Sequence, residues 1–245
     1  MNTQLISIVT KRQLHSYFAT PIAYVFILMF LVLAGVFTFY LGHFYERSQA
    51  DLSAFFNFHP WLYLFFMPAI AMGLWAPERQ MGTIELLMTL PIGHVNAVVG
   101  KFLAAWLFAG IALLLTFPIW MTVAYLGDPD NGVILAGYIG SWLMAGSFLA
   151  IGSCMSVCSK NQIVAFIFTV VVCFVFMVSG VPMVLDAFGW APQSVIDFVA
   201  GLSMLSRFEA IARGVLDIRD VIYFVAMMVF WLYITFIMLK KNQAK

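Results

Sequence analysis

Long apolar runs nearly free of charge constrain this chain most, at residues 21–42, 61–76, 95–126, 133–157, 163–185 and 221–239. About 20 apolar residues let a helix cross the hydrocarbon core, and lipid offers no partner for an unpaired amide, so such runs fold as helices. With 64% hydrophobic and 9% charged residues and a mean hydropathy of +1.00, little of the chain is left for a water-soluble domain. The expectation is an all-α, polytopic membrane protein in which residues 1–245 form one transmembrane domain with six transmembrane helices. A net charge of +1 provides no basic field, so nucleic acid is not expected as a partner and the lipid bilayer is.

Residues 186–206 are apolar but carry Asp186, Asp197, Gly189, Gly201 and Pro192. Each charge costs about 2.5 to 3.5 kcal/mol at the centre of a spanning helix. A re-entrant helical hairpin in the outer leaflet before the last span fits better, with 186–219 as the extracytoplasmic re-entrant segment. Six spans with both termini cytoplasmic place Lys11, Arg12, Arg79, Lys101, Lys160, Lys240, Lys241 and Lys245 inside and Arg47, Arg207, Arg213 and Arg219 outside. The three last arginines break the bias but are interleaved with Glu209, Asp217 and Asp220. Tyr40, Tyr45, Trp61, Tyr63, Trp120 and Tyr125 gather near the outer ends as an aromatic belt. Residues 1–20 mix Leu5, Ile6, Ile8 and Val9 with Lys11, Arg12 and His15, which suits either an amphipathic interfacial helix or a basic flank orienting the first span. Signal cleavage after the small residues Ser48 and Ala50 is not expected, because the preceding apolar run is too long.

Catalytic and metal chemistry find little support. The glycines of the stretch GHVNAVVGKF are too far apart for a phosphate-binding loop, and Phe102 stands where a hydroxyl residue belongs. His15, His43, His59 and His94 are scattered among expected ends and loops, and Cys154, Cys158 and Cys173 lack carboxylate or imidazole companions, so no metal site is expected. In the fourth run Gly137, Ser141 and Ala145, beside Gly146, Ala150 and Cys154, form small-residue stripes that allow close helix contact, within this chain or between chains.

The charged exception is the segment 78–91, ERQMGTIELLMTLP. Past Gly82, residues 83–90 allow about two helical turns with Ile84, Leu87 and Met88 on one face, limited by Pro91. This suits an amphipathic helix placed into a groove of a cytoplasmic partner, or one resting on acyl chains.

The string ERQMGTIELLMTLPIGHVNAVVGKFLAAW resembles a hallmark of type-2 ATP-binding-cassette (ABC) transporter permeases, particularly the branch containing gliding-motility and nitrous-oxide-reductase maturation permeases. LSMLSRFEAIARGVLDIRDVIYF resembles the same branch's last extracellular segment, and the resemblance covers essentially the whole chain. It implies a multi-pass permease of a bacterial cytoplasmic (inner) membrane whose segment 78–91 is the coupling helix for a separate ABC ATPase subunit. In that reading Ile84, Leu87 and Met88 fill an apolar groove on the ATPase, Glu78, Arg79 and Glu85 orient it, and Gly82, Thr83 and Pro91 bound the helix. ATP and Mg would be held by the partner; the chain itself would bind no cofactor and not be an enzyme. A second membrane subunit, larger and with an extracytoplasmic domain, or a second copy of this chain, would complete the assembly, with export as the expected direction. Arg207, Glu209 and Arg213 are candidates for an outer gate. An ATP-driven mechanical transducer and an ATP-independent pore or carrier are the competing readings.

Overall fold

Helix-starting residues set many of the boundaries in the computed structural model, which describes residues 3–46, 50–84, 93–187 and 190–243. Helix α1 (Thr3–Phe18) is followed by α2 (Pro21–Val36), where Pro21 occupies a first-turn position that needs no N–H donor. One π-helical turn, Phe37–Leu41, continues α2. Next come α3 (Ser53–Ala71), the short α4 (Ala76–Gln80) and α5 (His94–Leu114). Helix α6 (Phe117–Leu126) continues α5 after a break at Leu115 and Thr116, where Pro118 follows and the Thr116 hydroxyl donates to the Leu113 carbonyl (2.6 Å). Asp130 caps α7 (Asn131–Cys158) by accepting from the Gly132 and Val133 amides at 2.8 and 3.3 Å, and Asn161 caps α8 (Gln162–Val178) in the same way at 2.9 Å. Three short helices, α9 (Pro182–Ala187), α10 (Gln193–Gly201) and α11 (Met204–Ala212), lead to α12 (Ile218–Gln243).

All regular structure among the described residues is helical, and five stretches are long and apolar enough to cross a membrane: Pro21–Leu41, Ser53–Gln80, His94–Leu126, Asn131–Cys158 and Ile218–Lys241. Helix α8 is a further apolar helix of 17 residues. This is the architecture of a polytopic, multi-pass membrane protein.

Helix α7 is the central element, touching α3, α5, α8, α11 and α12, while α1 packs along α5. In lipid the apolar effect does not drive helices together, so close packing and internal hydrogen bonds must. The small residues of α7 permit that approach, and its stripe is buried within this chain. At Gly146 an added Cβ would lie 2.6 Å from the Met228 sulfur and 2.8 Å from Trp106 Nε1, so α5 and α12 both close on this glycine. One turn away, the Trp106 and Trp142 rings stack with centroids 4.2 Å apart, and each indole N–H donates to the other residue's main-chain carbonyl, at 2.8 and 3.4 Å.

Several expectations are corrected. The second apolar helix begins at Ser53 and not near Trp61, because Pro60 is accommodated inside α3. Tyr63 is no belt residue: it is 1% exposed and its hydroxyl meets Ser141 Oγ at 2.8 Å. His59 lies in the core and not at a polar end, with Nδ1 2.9 Å from the Phe55 carbonyl and the rings of Phe30, Phe55, Phe56 and Tyr63 around it. Around 186–219 the described residues form short helices, with Pro182, Pro192 and the capping Ser203 each starting one.

Candidate functional site

The polar chemistry of the interior concentrates where α3 ends. Helix α3 tightens into a turn over Met72, Gly73 and Leu74, with amides reaching the Pro68, Ile70 and Ala71 carbonyls at 2.9, 3.3 and 3.0 Å, and α4 then starts with Ala76 and Pro77. Such a turn exposes main-chain groups that lipid cannot satisfy. Ser156 of α7 answers three of them: its hydroxyl donates to the Met72 carbonyl (2.9 Å) and accepts from the Trp75 and Ala76 amides (3.0 Å each). That uses the one donor and both lone pairs of a serine hydroxyl. One turn back on α7, Ser153 Oγ accepts from the Trp75 indole at 3.1 Å.

Lys101 of α5 closes the turn from the other side. Its ammonium donates to the Leu74 carbonyl (2.6 Å), pairs with Glu78 Oε2 (2.5 Å) and lies 4.3 Å from the centroid of the Trp75 ring. A lysine 4% exposed in an apolar helix needs such a set of partners, because an unpaired buried ion costs several kcal/mol. Arg79 reaches α7 as well, its guanidinium donating to the Val157 carbonyl, one of the last of that helix. Those terminal carbonyls lack intrahelical donors and carry the negative end of the helix dipole, so a cation belongs there.

Helix α1 backs this cluster. Thr10 Oγ1 is 3.1 Å from the Gly100 carbonyl beside Lys101 and 2.9 Å from that of Ile6, and Gly100 itself lets Val9 sit where a Cβ would be 2.7 Å away. Tyr17 lies near Glu78, and burial pushes its phenol up to about 12, so it stays neutral. After α4, Gly82 has φ +70°, a left-handed conformation that glycine adopts without strain and that turns the chain away from the helix axis. Thr83 donates its amide to the Glu78 carbonyl at 3.0 Å, and Ile84 packs against the core.

Of the residues expected in the coupling segment, the structure thus joins Glu78 and Arg79 to the helix bundle and sets Gly82, Thr83 and Ile84 directly after them. Glu85, Leu87, Met88 and Pro91 lie outside the described residues. Sequence reasoning missed Trp75, Ser153, Ser156 and the pairing role of Lys101. A signal for Lys101 was present, since a cation within a long apolar run calls for a buried partner. The serines on α7 carried none.

At the opposite end of α3 the candidate gate residues divide. Arg207 pairs with Asp220 of α12 at 2.8 Å and lies over the Tyr223 ring, while the Tyr223 hydroxyl donates to the Leu202 carbonyl. Glu209 and Arg213 form a looser pair at 3.5 Å and line a cleft of about 640 Å³ between α11 and α3. Among the described residues no group of three or more His, Cys, Asp or Glu side chains could hold a metal ion. The arrangement at the Lys101 end fixes a loop to several helices at once. No family model matches the chain, and no curated protein matches it.

Proposed function

We propose that this chain is the membrane-spanning permease subunit of an ATP-binding-cassette transporter, coupling hydrolysis by a separate cytoplasmic ATPase to movement of a substrate across the membrane, with export as the direction. The observation that carries this reading is the clamp around Lys101. A loop that must pass motion into a helix bundle has to be stiff where it joins the bundle, and residues 72–79 are tied to α5 and α7 by an ion pair and six hydrogen bonds that involve side chains. A push on residues 85–91 would then be delivered to the central helix.

In this reading α8 is the sixth span: its 17 residues extend about 25 Å at 1.5 Å each, close to the hydrocarbon thickness. An even number of spans puts Lys11 and Arg12 on the same side as Lys240 and Lys241, the cytoplasmic side of a bacterial inner membrane. Leu87 and Met88 enter the groove of the ATPase, Glu85 orients the helix, and Ile84, packed against the core, joins the docking helix to the clamp. ATP and Mg belong to that partner, and a larger second membrane subunit completes the assembly.

Leu87→Asp tests this. The variant is expected to insert and to keep its thermal unfolding midpoint while losing co-purification with the ATPase and stimulation of its activity. Wild-type coupling in that variant would sink the proposal.

A further inference from the structure

The cleft between α3 and α11 is held open by the way α11 is mounted. Its side chains Met204, Phe208 and Ile211 are buried, and at Gly140 of α7 an added Cβ would lie 2.7 Å from Ile211 and 3.5 Å from Phe208, which also lines the cleft. Ser203 Oγ, 3.3 Å from the Met177 carbonyl, ties the start of α11 to α8. Helix α11 is therefore seated on α7 and α8, leaving the face that carries Glu209 and Arg213 turned toward the first turns of α3 across a gap of about 640 Å³. That volume lies within the range of small-ligand sites.

The walls of the gap differ in chemistry. At the end of α11, Glu209 and Arg213 present opposite charges whose side chains meet at 3.5 Å, 46% and 75% exposed, so the ion pair is weak enough to be exchanged for other partners while Arg213 Nε keeps its bond to the Glu209 carbonyl at 3.2 Å. On α3, Asn57 is exposed and its side chain makes no hydrogen bond to another described residue, and Pro60 supplies no N–H to the Phe56 carbonyl one turn earlier. Trp61 adds an aromatic surface that is 45% exposed.

We infer that this cleft binds a zwitterionic amphiphile of the phosphatidylcholine type, with its ammonium group at Glu209, its phosphate at Arg213 and its apolar part along Trp61. Glu209 attracts the ammonium electrostatically and Arg213 donates charge-assisted hydrogen bonds to the phosphate, so one loose intrachain pair is exchanged for two contacts. The inference concerns binding alone and stands apart from any coupling to ATP.

The test uses the full chain in nanodiscs of phosphatidylglycerol, titrated with phosphatidylcholine brominated near the headgroup end of its acyl chains. Quenching of tryptophan emission is compared between the wild type and Trp61→Phe, so that the difference reports the cleft. Half-saturation is expected at a mole fraction at least fivefold below that of brominated phosphatidylglycerol, with Glu209→Gln and Arg213→Gln each abolishing this preference at an unchanged unfolding midpoint. Equal quenching by the two lipids, or a preference that survives in both variants, overturns the inference. Free phosphocholine, which lacks the apolar part, is expected not to compete; competition at matching concentration would overturn the amphiphile assignment.

Discussion

Lys101 Nζ and Glu78 Oε2 are 2.5 Å apart inside the protein, the lysine side chain 5% and the glutamate side chain 21% exposed. The pair joins the middle of an apolar helix to the root of a polar loop. Removing one partner leaves the other ion buried and uncompensated, which costs about 3–5 kcal/mol. Lys101→Met is therefore expected to lower the unfolding midpoint in mild detergent strongly, and Lys101→Met with Glu78→Gln to recover a large part of that loss. Additive effects of the two changes would show that the pair does not act as a unit.

Ser156 is expected to matter out of proportion to its size. Its replacement by alanine leaves the Trp75 and Ala76 amides without their acceptor and the Met72 carbonyl without its donor. With about 1–3 kcal/mol for a buried polar group left unpaired, Ser156→Ala should destabilise the turn and speed hydrogen exchange at the 75 and 76 amides by tenfold or more. Exchange at the wild-type rate would remove Ser156 from the clamp.

Gly146→Val places methyl groups where Trp106 and Met228 already sit. Overpacking of this kind costs about 1–3 kcal/mol. The expected result is a lower thermal midpoint, with Gly35→Ala, where nothing lies within 4 Å of an added Cβ, changing it little. Equal effects at the two positions would contradict the packing described for α7.

The two arginine pairs of the α11 region should behave unequally. Arg207→Ala strands Asp220, which is 4% exposed, and is expected to cost roughly 1–3 kcal/mol. Arg213→Ala breaks a pair exposed on both sides and is expected to cost about 0–1 kcal/mol. Comparison of the two unfolding midpoints checks this, and an Arg213 effect as large as that of Arg207 would count against the division.

Helix positions were legible in the sequence because a membrane helix advertises itself by length and apolarity alone. Ser53 and Pro60 show the limit: the apolar run starts at residue 61, yet the helix begins at Ser53 with Pro60 inside it, because a membrane helix tolerates proline. The segment from Glu78 was recognisable by its charge, and Gly82 by its break in the apolar pattern. Trp75, Ser153 and Ser156 were not, since serine is common on packed membrane helices and nothing local states which main-chain group it will meet. Their partnership joins positions about 80 residues apart, and only the tertiary arrangement of α3 against α7 brings them together. His59 was misplaced for a related reason, because the aromatic shell that encloses it comes partly from α2.

The Trp106 and Trp142 rings, stacked nearly face to face between α5 and α7, also give the molecule a built-in optical signature. Two indoles stacked 4.2 Å apart are close enough for their electronic transitions to couple. The expected readout is an ultraviolet circular dichroism band that disappears in Trp106→Phe and in Trp142→Phe alike. Seating of the central helix in its bundle is thereby observable on the unlabelled protein, in detergent or in lipid, and any slide of α7 along α5 would weaken that band before either helix lost its backbone structure.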